Sequence, residues 1–416
     1  MFILKTKLIN DKLFSYSLFI FVVSCYLVLF YLSTKFIIND WTWSQAHTNY
    51  SYGYVKRGLF GTLILFFENN FNINTVKSFT NFFILLKLLN IFLFFLLISQ
   101  YFKNKLLFLF LALNPLLIMF AFNDLGGYQR FDDLSVFLIL THSLILRSFN
   151  KNIISEKHYT KFLYLFIFPF LCFAMLIHEI VVWSLPFHFF LTYNVYKKLI
   201  NYGFFSYIIL LILTLFIFLY PVSDATFNNM LKGLAEKNLS HEPFKFSAQT
   251  KNNIAIIKEQ IGINLLTSYN FIVNIFFLFM ATFPFYYLFK RFEKKNEVFG
   301  EKIRNSVFIL STLPYLSFFV IGDTGRWLSL IAFTSLGIIG QYKFELSVNK
   351  ENTKKIFQIP ILVLVLIFCF FIQVPHLIKH VTIYGGIFQK GLDGYNIFIL
   401  KNNEDFYNLN IRFKNH

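Results

Sequence analysis

Long apolar runs alternate with short polar breaks along this chain, and many of the runs approach or exceed the roughly 20 residues a helix needs to cross about 30 Å of hydrocarbon. They predict eleven helices, over 13–38, 79–102, 105–122, 132–147, 162–177, 180–196, 202–221, 266–289, 305–321, 327–341 and 356–375. Residues 58–67 are apolar too, but this stretch is too short to cross and reads as an interfacial or re-entrant helix. Residues 162–196 carry basic residues at both ends, so they must hold an even number of crossings; a short hairpin turning at His178-Glu179 fits. The predicted fold is all-α, a polytopic transmembrane helical bundle of about eleven crossings. Residues 1–375 form the membrane domain, with outer loops 39–78 and 222–265, and residues 376–416 form a polar outer tail.

Charge orients the bundle. Lys5, Lys7 and Lys12 precede the first helix, so the positive-inside rule places the N-terminus in the cytoplasm and an odd count of crossings places the C-terminus outside. Segments then assigned to the inside hold 21 of the 38 Lys and Arg, whereas outside segments hold fewer in about twice the length, so no loop has to be flipped. The chain is 56% hydrophobic and only 14% charged, which excludes an ordinary soluble domain. Its formal charge of +17 is scattered through short loops rather than massed on one face, so it reads as a topology signal and not as a nucleic-acid surface. The 61 Phe residues carry the stamp of an AT-rich genome more than of a special aromatic surface. Cys25, Cys172 and Cys369 lie inside apolar runs and indicate neither a disulfide framework nor a zinc site. The apolar run continues past Cys25, which favours an uncleaved signal anchor.

Threaded in this way, the chain brings its unusual polar clusters to the outer side. Asp40 directly follows the first helix, with Trp41, Trp43 and His47 after it and then the run Tyr50 to Gly58 containing Lys56 and Arg57. Aromatic belts and basic anchors explain part of this segment. A carboxylate beside adjacent cations and two glycines goes further: Gly58 and Gly61 would let the backbone approach a phosphate, and Arg57 offers a planar fork for it. The next outer loop holds Asp124, Arg130, Asp132 and Asp133 within a few residues. One acid there can serve the positive end of the following helix, with Asp132 as its N-cap, but three exceed what capping needs, and the remainder suit a base or a metal ligand.

His178-Glu179 sits between apolar stretches, where ionisable groups are costly unless they face water or a partner, and Glu179 would suit proton transfer. Asp323 and Arg326 are joined by so tight a turn that they are expected to pair, with Trp327 as an interface anchor or a platform for a sugar ring. Lys87, about two turns inside the second helix, needs an anion or water. His142 and His188 read as packing or polar-cavity residues.

Carboxylates, phosphate-suited cations and aromatic platforms at the outer boundary match a sugar linked through phosphate to a polyprenyl lipid. The lipid bilayer holds the tail, and the acceptor would be a glycan or a lipid. Asp40, Asp124, Asp132, Asp133 and Glu179 are the candidate catalytic acids; Lys56, Arg57, Lys87, Arg130, His178, Asp323, Arg326 and Trp327 are the candidate substrate-binding residues. No nucleotide is needed, and no P-loop or dinucleotide fingerprint is present. A divalent cation, Mg or Mn, is compatible with the acids.

The organisation resembles the GT-C superfamily of membrane glycosyltransferases and, more loosely, bacterial O-antigen and capsule polysaccharide polymerases. The resemblance rests on Asp40 after the first helix, on residues 58–67, and on Asp124 or Asp132 and Asp133 in the next outer loop, and it covers about the first 200 residues. It implies a lipid-linked sugar donor, a carboxylate base that activates the acceptor hydroxyl, and a multi-pass protein of the bacterial inner membrane whose site faces the periplasm. The chain departs from those enzymes in its lone first acid and in an outer loop, 222–265, without arginine. A lipid-linked oligosaccharide flippase or other transporter is the competing role, and acyl transfer through His178-Glu179 is a third.

Overall fold

The computed structural model describes residues 16–17, 19–27, 30, 40–71, 75–102, 104–123, 130–195, 200–242, 244–245, 268–293, 308–317, 324–341 and 367–368. Among them the protein is all-helical. In chain order the helices are α1 (Asp40–Ala46), α2 (Gly58–Phe71), α3 (Thr75–Ile98), α4 (Lys105–Leu113), α5 (Ile118–Asn123), α6 (Asp132–Asn150), α7 (Glu156–Phe162), α8 (Phe168–Ile177), α9 (Leu185–Val195), α10 (Ile200–Leu219), α11 (Asp224–Glu236), α12 (Ser268–Glu293) and α13 (Thr324–Gly340).

Among the described residues two helical stretches are long and apolar enough to cross a membrane, Ser78–Tyr101 and Glu156–Ile177. The second runs through α7, a π-helical turn at Leu163–Ile167 and α8 without a break, so it starts six residues earlier than the apolar pattern predicts. The bent pair α10 and α11, which meet at 79°, makes a third when counted as one broken span. Leu107–Phe120, Glu179–Thr192, Ile272–Tyr286 and Gly325–Gly340 are shorter apolar helices. Most of the predicted first and eleventh helices, the inner loop 343–355 and the tail 376–416 lie outside the described residues.

The core is built on α3, α6, α12 and α13, with α6 against α3 and α13, and α13 against α12. Small residues let the backbones approach, as they do in membrane bundles generally. A side chain at Gly337 would run into Ser143 and Phe187, and one at Gly340 into Leu97. Local chemistry sets the breaks. Asn104 caps α4 by accepting a hydrogen bond from the Leu107 amide at 3.1 Å, and Asn114 accepts from the Leu116 amide at 2.9 Å where Pro115 ends that helix.

The reversal expected at His178-Glu179 is present. His178 leaves the helical region (φ −154°, ψ 122°), and its ring Nδ1 accepts from the Ile180 amide at 3.2 Å. The rings of His178 and Phe131 lie 6.1 Å apart, while further along, His188 and Tyr159 both bond to His142. The chain therefore runs toward the Asp132 end of α6 through α7 and α8 and away from it afterwards.

The first outer segment folds as a helix, a loop and a second helix. α2 extends to Phe71, four residues beyond the predicted end, with Phe66, Phe67 and Phe71 exposed. Helix α11, within the predicted outer loop 222–265, covers this segment. Its Met230 and Leu234 join Val55 and Phe244 in a separate apolar cluster, and Thr226 Oγ1 donates to the Tyr52 carbonyl at 2.9 Å.

Candidate functional site

Three carboxylate–cation pairs stand at the Asp132 end of the bundle. The first joins the outer loop to the hairpin turn. Arg57 directs Nε to Glu179 Oε2 at 2.6 Å and Nη2 to Glu179 Oε1, a two-pronged contact across 122 residues of sequence. Gln45, with its amide oxygen toward the guanidinium, accepts from Nη1 as well, and lies 3.2 Å from Nε. Arg57 holds a left-handed backbone (φ 64°), a conformation that costs a non-glycine residue about 1–2 kcal/mol and here places its side chain over the hairpin.

The second pair is Arg326 with Asp132, bidentate at 2.6 Å for both Nε–Oδ2 and Nη2–Oδ1. The third is Lys87 with Asp133, Nζ to Oδ1 at 2.6 Å. Asn90, one turn along from Lys87, donates to the Asp133 carbonyl at 3.0 Å. Lys87 is only 1% exposed, so the anion expected of a lone intramembrane lysine is supplied by the protein itself. Lys87, Asp132, Asp133, Arg326 and Ser329 line a cavity of about 30 Å³, room for one or two waters. Asp133 Oδ2 is buried with no protein partner among the described residues, which suits a water there.

Aromatic rings wall the same end. Trp327 is 5% exposed, with Trp183 edge-on at 5.8 Å and Tyr315 at 6.2 Å. It forms a wall of the bundle rather than the open platform for a sugar that its position in the sequence suggested. In the loop, Tyr54 packs between Phe216 and Tyr220. Burial, then the neighbouring Tyr50 and Glu179, push its hydroxyl up to about 12, so it stays protonated as a donor. Burial also draws the Lys56 ammonium below its usual range, and the nearby Glu179 charge opposes the shift.

Several expectations change. Phe131, not Asp132, occupies the N-cap of α6 and offers no side-chain cap; both acids sit in the first turn, where the helix dipole favours them. Arg326 spends its fork on Asp132, and its expected partner Asp323 lies outside the described residues, as does Asp124. Gly58 and Gly61 pack against protein. A side chain at Gly61 would collide with the Thr48 carbonyl, and one at Gly58 with Tyr50, so these glycines let α2 dock on the loop before it.

Arg130 lies near enough to Asp132 to add to its field, and His178 is buried beside Glu179 at 3.9 Å. Asp40 opens α1; its side chain lies outside the described part. Among the described residues no three metal-ligating side chains come together.

Gln45, Asn90, Trp183 and Ser329 were not singled out from the sequence. Asn90 was legible, because an amide three residues from an intramembrane lysine shares its helix face. Gln45 carried no such signal, since only the fold of α1 against the hairpin brings it to Arg57. No family model, curated protein or solved structure matches this chain.

Proposed function

We propose that the chain is a membrane-embedded glycosyltransferase or polysaccharide polymerase of the GT-C kind. It uses a polyprenyl-phosphate-linked sugar at the outer face of a bacterial inner membrane, which it crosses about eleven times with its N-terminus inside. The observation that carries this reading is the gathering of Arg57–Glu179, Arg326–Asp132 and Lys87–Asp133 at one end of an apolar helical bundle. Ionisable groups gathered at a membrane edge mark a functional site, and the two-pronged cations among them suit a lipid phosphate bearing a sugar.

In the reaction a carboxylate, with Asp40 and Glu179 as the leading candidates, takes the proton of the acceptor hydroxyl. The acceptor oxygen bonds to the anomeric carbon, and the bond from that carbon to the phosphate oxygen breaks with its electron pair going to the phosphate. Arg57 and Lys56 stabilise the charge that gathers there. Asp40→Asn and Arg57→Ala are expected to abolish surface-glycan formation at unchanged membrane abundance of the protein. Normal glycan in both would remove the site from consideration.

A lipid-linked oligosaccharide flippase is the second reading, and one observation favours it. About 15 Å along α6 from Asp132, His142 bonds His188 (Nδ1 to Nδ1, 2.9 Å) and the Tyr159 hydroxyl (2.8 Å), all buried. Polar groups at such depth are what a path through the midplane would need. Lipid that changes leaflet without a new glycosidic bond would decide for the flippase.

A further inference from the structure

The cations of the three pairs, Arg57, Lys87 and Arg326, each already hold a carboxylate, so a phosphate reaches any of them by exchange. The three pairs differ in how readily they exchange. Lys87 and Asp133 are sealed in the bundle, with Asn90 as an extra tie on Asp133. Asp132 and Arg326 line the small cavity shared with Lys87 and Asp133, and each side chain is 15% exposed. Glu179 has the most open side chain of the six, at 21%, against 11% for its partner Arg57, so an incoming anion meets the pair from the carboxylate side.

Arg57 is held from two directions by groups of different kind. Glu179 takes Nε and Nη2 with a full negative charge; Gln45 takes Nη1 with a neutral amide. An anion arriving at Arg57 competes with the first and not with the second. A phosphate presents two oxygens in the same fork geometry as a carboxylate, so it can replace Glu179 without leaving the guanidinium unpaired. Gln45 stays in place and keeps the fork aimed, which matters because the strained left-handed backbone of Arg57 is otherwise free to relax once Glu179 has left. Once displaced, Glu179 has the Lys56 charge nearby to receive it.

We infer that Arg57 is a phosphate-exchange site in which a polyprenyl phosphate takes the place of Glu179 while Gln45 acts as the positioning residue that holds the guanidinium. This rests on the lipid-phosphate reading above. It adds an order of events: Glu179 is released as a proton acceptor only when the lipid phosphate has arrived.

The test is binding of radiolabelled farnesyl phosphate to the full chain in nanodiscs, with no sugar present. Glu179→Gln removes the competing charge and is expected to tighten binding about tenfold, the loss of one charge-assisted contact. Gln45→Leu is expected to weaken it about tenfold in both the wild-type and the Glu179→Gln backgrounds. A purely structural role for Gln45 would instead lower the melting temperature and leave affinity unchanged.

Gln45→Glu, which adds a second carboxylate to Arg57, is expected to weaken binding at least as much as Gln45→Leu, and it keeps the test alive if Glu179→Gln does not fold. Unchanged or weaker binding in Glu179→Gln, or unchanged binding in Gln45→Glu, would overturn the exchange. Inorganic phosphate that competes as well as farnesyl phosphate at equal concentration would overturn the lipid as ligand. Failure of glycosyl transfer with this exchange intact would count against the proposed reaction alone.

Discussion

Lys87 and Asp133 illustrate what a single residue costs in this interior. Removing one partner leaves an uncompensated buried charge, for which about 3–5 kcal/mol is typical, while replacing both by apolar groups of similar size is often neutral. Lys87→Met and Asp133→Leu are each expected to lower the melting temperature of the purified protein strongly, and the double variant to recover most of the loss, as read by thermal unfolding in detergent. Two single losses that simply add would show that the pair carries no coupling. Lys87 was legible as a cation in need of an anion, because its sequence neighbours are all apolar. Its choice of Asp133 was not, since Asp132 stands beside it, and the rotation of α6 alone decides which acid faces α3 and which faces Arg326.

Among the elements, those set by local chemistry were the most legible. The hairpin at His178, the bounds of α3 and α10 and the short helix after residue 57 follow from apolar runs and their polar breaks. Docking between elements was not, and the glycines show why. Gly58 and Gly61 looked like approaches to a phosphate, yet they serve the contact of α2 with residues 46–50. Gly61→Ala places a methyl group against the Thr48 carbonyl and is expected to cost about 1–3 kcal/mol, the usual penalty of overpacking, with lower abundance in the membrane as the readout. Wild-type abundance and melting would mean that α2 is not anchored there. The buried His142–His188–Tyr159 chain makes a second element-scale test. His142→Leu strips partners from His188 and Tyr159 and is expected to destabilise the protein by about 1–3 kcal/mol while leaving glycosyl transfer in the surviving protein intact. Loss of function at full stability would favour the path through the midplane instead.

For the whole molecule, orientation is the first thing to establish, because it decides whether the acid–cation pairs face lipid-linked sugars or the cytoplasm. Cysteines introduced at 40, 124 and 323 are expected to react with an impermeant thiol reagent applied from outside, and one at 295 only after permeabilisation; the reverse pattern would invert the bundle. The lysine distribution supplies the expected orientation, and the sequence carried the grouping of the polar clusters, four of which meet in space as Arg57–Glu179 and Arg326–Asp132. It could not carry the pairing itself, which joins residues 122 and 194 positions apart. The central claim is that these pairs serve sugar transfer from a lipid phosphate. Its most direct test is to reconstitute the full chain in proteoliposomes with a polyprenyl-phosphate-linked labelled sugar and an acceptor glycan, and to ask by mass spectrometry whether a glycosidic bond forms. Transfer predicts a glycan longer by one sugar and an equivalent of released polyprenyl phosphate, both lost in Arg57→Ala; movement of the intact lipid-linked sugar between leaflets with no new bond would contradict it.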